Sequence, residues 1–158
     1  MIDTTHIPTL DEAKAYIDAI DFSMVVDKIV STKGWKKSDV LKIGELYKHF
    51  LYLNKKYTNS CLSLPPSEEV DEFWHNHILD TKKYHTDCDK IFGAYLHHYP
   101  YFGIDGKTTR NDLDNAFEKT QALHFQEFGD YIYNVRYVHF KQLINFIKLL
   151  FTAKQSNR

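Results

Sequence analysis

The sequence predicts an all-α protein, a compact single-domain bundle of five or six helices spanning residues 1–158. Three observations lead there. Apolar residues recur three and four positions apart through most of the chain, and no segment alternates apolar and polar residues at the period of a strand. The breaks in that pattern coincide with Gly34, Pro65-Pro66 and Pro100, residues that end helices. At 158 residues the chain is long enough to bury roughly two-thirds of its unfolded surface without a disulfide or a metal.

The first helix begins at Thr9, whose hydroxyl, followed by Asp11 and Glu12, suits the free amides of a first turn. Ala13, Ile17, Ile20, Met24 and Val25 give it an apolar face, and it is expected to end before Gly34. Ser38 starts a second helix through Val40, Ile43, Tyr47, Phe50 and Leu53 that fades around Tyr57 to Asn59. Pro65-Pro66 prevents its extension, and Ser67 with Glu68 and Glu69 opens a third. From Ser67 to about His97 no proline intervenes, so the segment reads as one long helix or as two with a break near Asp80 to Lys82. Tyr99 to Gly103 and the following IDGKTT form a turn and loop. Asp112 or a neighbour starts another helix through Phe117, Leu123 and Phe128, Gly129 interrupts it, and a final aromatic helix runs through Leu150.

Composition narrows the function classes. With 20 basic and 21 acidic side chains the formal charge is -1, which provides no broad phosphate-binding field and argues against nucleic acid as a partner. Cys61 and Cys88 form no CxxC pair, and the N-terminus is too acidic and polar for a signal peptide, so a reducing cytoplasmic setting is expected. VHFKQLINFIKLLFTA is interrupted by Lys141, Gln142, Asn145 and Lys148 and reads as a docked amphipathic helix, so no stable membrane insertion is expected.

The chemistry concentrates in FWHNHILDTKKYHTDCDKIFGAYLHHYP, which holds five of the nine histidines. Residues four apart on a helix share a face, so Asp71 and His75 project together. His77 and Asp80, followed by Tyr84 and Cys88, form a second set about 200° away around the axis, with Trp74 and Ile78 between the two as core residues. His97 and His98 point about 100° apart before Pro100, so one of them is expected to reach the Asp71/His75 face. An aspartate and two imidazoles suit zinc or ferrous iron with water in a remaining position, and no other cofactor is implied. Competing motifs are absent: there is no HExxH, no zinc-finger spacing and no phosphate loop around Gly103, Gly106 and Lys107. Cys88, flanked on its helix face by Tyr84 and Phe92, reads as a buried packing thiol rather than a nucleophile.

Pro66, Asp71, Trp74, His75, His77, Ile78, Leu79, Thr81, Tyr84, Asp87, Cys88, Phe92, Gly93, His97, His98 and Pro100, with YKHFLYL ahead of them, resemble the glycine-rich domain-containing protein-like family. The resemblance covers about residues 35–129 and implies a shared fold and a shared polar pocket. With six glycines in all, the sequence carries no glycine-rich tract, so roles of that tract in plant members are not implied.

Two functional readings follow. The first is a divalent-metal-binding protein using Asp71, His75 and His97 or His98, with Trp74, His77, Asp80, Tyr84 and Cys88 as the surrounding network; bound water and an imidazole or carboxylate would make it a metal-dependent enzyme. The alternative is a metal-free protein-interaction or regulatory module, in which the same residues form a buried polar-aromatic network. The partner is correspondingly an unidentified protein or small molecule.

Overall fold

The computed structural model describes residues 6–57 and 64–136. These form six helices and, among the described residues, no strand: α1 (Leu10–Ala19), α2 (Ser23–Lys33), α3 (Lys37–Tyr57), α4 (Glu68–Leu79), α5 (Thr81–Phe92) and α6 (Arg110–Phe128). The expected helix through Leu150 lies outside the described residues, as does Cys61. Among the described residues no helix is long and apolar enough to cross a membrane.

The segment expected to run unbroken from Thr9 to Gly34 is two helices. Thr9 and Glu12 form a reciprocal capping box at the start of α1. After Ala19, Ile20 turns extended at φ -60°, ψ 127°, and the Asp21 carboxylate accepts the Ser23 amide at 2.8 Å. The break has a packing reason. Ile20 and Phe22 are both buried, whereas one continuous helix would aim them about 200° apart. Freed from that constraint, the Phe22 ring meets Tyr47, Phe73 and His77 at centroid distances of 5.5, 5.5 and 5.0 Å.

α3 lies at the centre and packs against α1, α2, α4 and α6. Its buried stripe includes Val40, Ile43, Tyr47, Phe50 and Leu51. Gly44 sits where α4 comes closest; a methyl group there would stand 3.3 Å from the Phe73 ring, so α4 or the ring would have to shift.

Ser67 caps α4 by accepting the Val70 amide. The long segment after it divides at Asp80, whose backbone (φ -85°, ψ 72°) leaves the helix while its carboxylate caps α5 through the Lys83 amide. α5 then packs beside α4. It ends at Gly93, held at φ +68° with a hypothetical Cβ 3.1 Å from the His6 carbonyl oxygen, a conformation and a space that favour glycine. Beyond that turn the chain passes back along α5, because the Tyr84 hydroxyl donates to the Leu96 carbonyl at 2.5 Å. This return carries His97 and His98 to α4.

Thr109 and Asp112 form a second capping box at α6. In the preceding loop, the half-buried Asp105 carboxylate accepts hydrogen bonds from the amide and hydroxyl of Thr108, the Lys107 amide and the Tyr99 hydroxyl, which hold its carboxyl well below the usual range. After α6 side chains tie the chain down as far as Arg136: Gln121 pairs with both the amide and the carbonyl of Ile132, and buried Glu69 accepts the amides of Val135 and Arg136.

Candidate metal centre

α4 presents two histidines to two environments. Asp71 and His75, one turn apart, lie on its outer face, and the returning segment after Gly93 brings His98 onto them. His98 Nε2 is 2.9 Å from Asp71 Oδ1 and 3.1 Å from His75 Nε2, while His75 Nε2 is 3.7 Å from Asp71 Oδ2. One ligand atom from each residue lies within 4.8 Å of the others, the one such group of three among the described residues. Their side chains are 33%, 45% and 16% exposed for Asp71, His75 and His98, so the cluster is open on one side. It opens into a cleft of about 440 Å³ between the Leu64 to Glu68 segment, α4 and the loop from Leu96 to Phe102. Tetrahedral zinc with ligands at about 2.0–2.1 Å holds donor atoms about 3.4 Å apart; His98 Nε2 stands slightly closer than that to both His75 and Asp71 Oδ1, and the 3.7 Å approach of His75 is to the other carboxylate oxygen.

His97 also borders the cleft, but its side chain is exposed and packs against Tyr95 at 5.0 Å between centroids rather than joining the triad. The neighbouring Trp74 is buried, with its ring 4.6 Å from that of His98 and 4.9 Å from Phe50. Its indole Nε1 donates to the Tyr84 hydroxyl at 2.9 Å, and Tyr84 donates onward to Leu96. Trp74 therefore links α4 to the segment bearing His98 through one phenol. Burial is the main reason that the Tyr84 phenol is pushed far above its ordinary value, which keeps it a neutral donor. Cys88 is buried beside it; burial raises its thiol, and a raised thiol is a poor nucleophile.

His77 belongs to the inner face and is 1% exposed. Its Nδ1 is 2.9 Å from the Tyr47 hydroxyl, and its Nε2 lies 2.9 Å from Asp87 Oδ2, an ion-pair distance outside hydrogen-bond alignment. Lys83 Nζ reaches the same oxygen at 3.0 Å, and the Tyr16 hydroxyl donates to Oδ1 at 2.7 Å. Burial alone would raise the Asp87 carboxyl, but His77, Tyr16 and Lys83 outweigh it and hold it below the usual range. The Tyr16 phenol moves the other way, to about 12, through burial and its bond to Asp87. Asp80 takes no part in this set. The helix break that makes it a cap lets α5 lay Asp87 against His77 instead.

Sequence reading did not anticipate Tyr47, Tyr16 or the Asp87 role, although the four-residue spacing of Lys83 and Asp87 marks them as a pair. Nor did it single out His49 and His124. These lie between α3 and α6, with His49 Nδ1 2.9 Å from His124 Nε2, His124 Nδ1 2.7 Å from the Asp130 carbonyl and His49 stacked on Phe128.

A family model described as UCP032817-like matches residues 12–123, a range that contains both histidine sets of α4 and its returning segment. The chain belongs to this family. It is similar to Glycine-rich domain-containing protein 1 of Arabidopsis thaliana, 36% identical over 85 residues, and to Glycine-rich domain-containing protein 2 of the same plant, 33% identical over 85 residues. Each match covers 52% of this chain and 10% of the plant protein, so the chain corresponds to a small part of those relatives. The chain is thus related, over that stretch, to glycine-rich domain-containing proteins of the kind its Asp71 to Pro100 pattern resembles. No solved structure matches significantly.

Proposed function

We propose that the protein binds one divalent transition metal, zinc or iron(II), through Asp71, His75 and His98. The observation that carries this reading is the convergence of two imidazole Nε2 atoms and one carboxylate at separations of 2.9, 3.1 and 3.7 Å at the wall of a cleft. Proton accounting supports it. A neutral imidazole nitrogen offers either one N–H or one lone pair. His98 Nε2 has a nitrogen on one side and a carboxylate oxygen on the other, so a single proton there is shared between two acceptors. A cation accepts electron density from all three atoms at once.

Two histidines and a carboxylate suit either zinc or non-haem iron(II), and three protein ligands leave coordination positions for water or substrate. Bound zinc would lower the pKa of its water to about 7, whereas iron would favour oxygen chemistry. Trp74 and Tyr84 then serve to hold the ligands rather than to react. The alternative, a metal-free interaction module, draws on the buried His77 set, in which Tyr47 meets His77 Nδ1 and Tyr16 and Lys83 meet the Asp87 carboxylate.

The test is elemental mass spectrometry on untagged protein purified without chelators, alongside folded His75→Ala and His98→Ala variants. Near-stoichiometric metal in the parent and its loss in both variants is the expected result. A parent that carries no metal and takes up neither zinc nor iron(II) would overturn the proposal.

A further inference from the structure

We infer that the cleft beside the Asp71, His75 and His98 cluster takes a predominantly apolar molecule carrying one oxygen-donor head for the metal and no further anionic group. The inference rests on the metal-binding reading and adds the substrate class to it. The cleft volume of about 440 Å³ lies within the range of small-molecule sites. No lysine or arginine lines it among the described residues; apart from histidines, its charged groups are Glu68 and Asp71. A divalent ion there would be partly balanced by Asp71, and Glu68 puts a second carboxylate on the cleft wall. A phosphate or dicarboxylate would bring excess negative charge into a site with no basic side chain to receive it, and clefts that recognise such groups use Arg or Lys for the purpose.

The remaining wall is mainly aromatic and aliphatic, with one amide, Asn54, whose Nδ2 donates to the Phe50 carbonyl at 2.9 Å. Phe50 and Trp74 lie on the helix side, Leu96 and Phe102 on the returning segment and loop, and Leu113 on α6. The loop is internally braced, since Asp105 ties Tyr99 to Thr108, and the Thr108 hydroxyl receives the Gly103 amide at 2.7 Å. An apolar group entering from the metal therefore meets rings and branched chains, part of them on a loop braced by its own hydrogen bonds. This division of labour, a donor head on the metal and an apolar body in the cleft, follows from the lining rather than from the ligand triad, which sets no preference among oxygen donors.

Three hydroxamates that share a metal-binding head test it on protein loaded with one equivalent of cobalt(II): acetohydroxamate, benzohydroxamate and 4-carboxybenzohydroxamate. The cobalt visible spectrum of the protein reports the metal site itself, and its perturbation reports binding of each probe. The expected order is benzohydroxamate tightest by roughly tenfold over acetohydroxamate, a ratio equivalent to about 1.4 kcal/mol, with the carboxylated ring losing that gain. Inorganic phosphate at millimolar concentration should leave the spectrum unchanged. A cobalt spectrum that appears normally while all three hydroxamates bind alike, or while the carboxylated probe or phosphate binds best, would overturn this inference and leave the metal reading intact. Failure of cobalt to bind would remove both. A Phe102→Ala variant gives a second readout: benzohydroxamate should weaken severalfold with acetohydroxamate unchanged, and equal weakening of the two would count against an apolar subsite.

Discussion

His75 and His77 are separated by one residue on the same helix, yet each meets a different kind of neighbourhood. His77 is sealed in the core, where Tyr47, Asp87, Lys83 and Tyr16 supply it and its carboxylate with partners from α1, α3 and α5. His75 stands half exposed beside Asp71 and His98, where the nearest polar atoms are two other ligand-type atoms. The comparison shows that an Asp/His pair has no fixed meaning. The buried pair is enclosed by protein groups from three helices, whereas the half-open donors converge on one another beside a cleft, and the proposed metal site rests on that difference.

Removing each histidine should separate these roles most sharply. His77→Ala removes a fully buried ring and the partner of the Tyr47 hydroxyl, while Asp87 keeps Lys83 and Tyr16, and is expected to cost about 3–5 kcal/mol in urea unfolding. His75→Ala should stay within about 0.5 kcal/mol in metal-free protein and lose the metal instead. Equal destabilisation by the two would erase the distinction.

The Asp87 carboxyl sharpens the inner half of the comparison through pH. Its folded value lies below the unfolded one of about 3.9, so its contribution is fully present above that pH and is lost as pH falls through the folded value. Denaturation measured between pH 6 and pH 2 should show a steep acid loss in the parent. Asp87→Asn should be less stable at neutral pH and flatter below pH 4; parallel pH curves would mean that Asp87 stays charged or neutral in both states.

Tyr84 joins the two regions. Tyr84→Phe strands the Trp74 indole N–H and the Leu96 carbonyl, with an expected cost of about 1–3 kcal/mol. Because Leu96 precedes the ligand by two residues, metal affinity should also fall by about tenfold, as it does when groups supporting ligands are removed. Titration calorimetry with zinc on the folded variant reads this, and unchanged affinity would confine Tyr84 to the fold.

The smallest effect is expected at the α3 to α6 contact. Burial, then the adjacent His124, lower the His49 imidazole below its ordinary value. The unfolded chain then takes up this proton more readily, so stability should decline as pH falls from about 6.5 towards the folded value. His49→Gln should flatten that part of the stability curve, and an unaltered slope would assign the pH dependence elsewhere.

The parts of the fold set by near neighbours were legible in the sequence. Thr9, Ser67 and Gly129 mark helix ends because capping depends on a few consecutive residues, and the start expected at Asp112 or a neighbour falls at Arg110 behind the Thr109 cap. The break at Asp21 was not legible, since it exists to bury Ile20 and Phe22 together against α3 and α4, a demand made by distant residues. At the candidate site, the Asp71 and His75 pair is a property of helical spacing, and the choice of metal types follows from the donor atoms present. Selecting His98 over His97, pairing His77 with Asp87 rather than Asp80, and placing the Tyr47 hydroxyl 30 residues away all depended on where α5 and the Gly93 turn fold back. By itself the sequence determined an all-α chain and one shared Asp/His face. Only tertiary structure decided which third side chain joins that face and what lines the cleft beside it, because helical periodicity orients side chains around one axis and carries no information about what another segment brings against them.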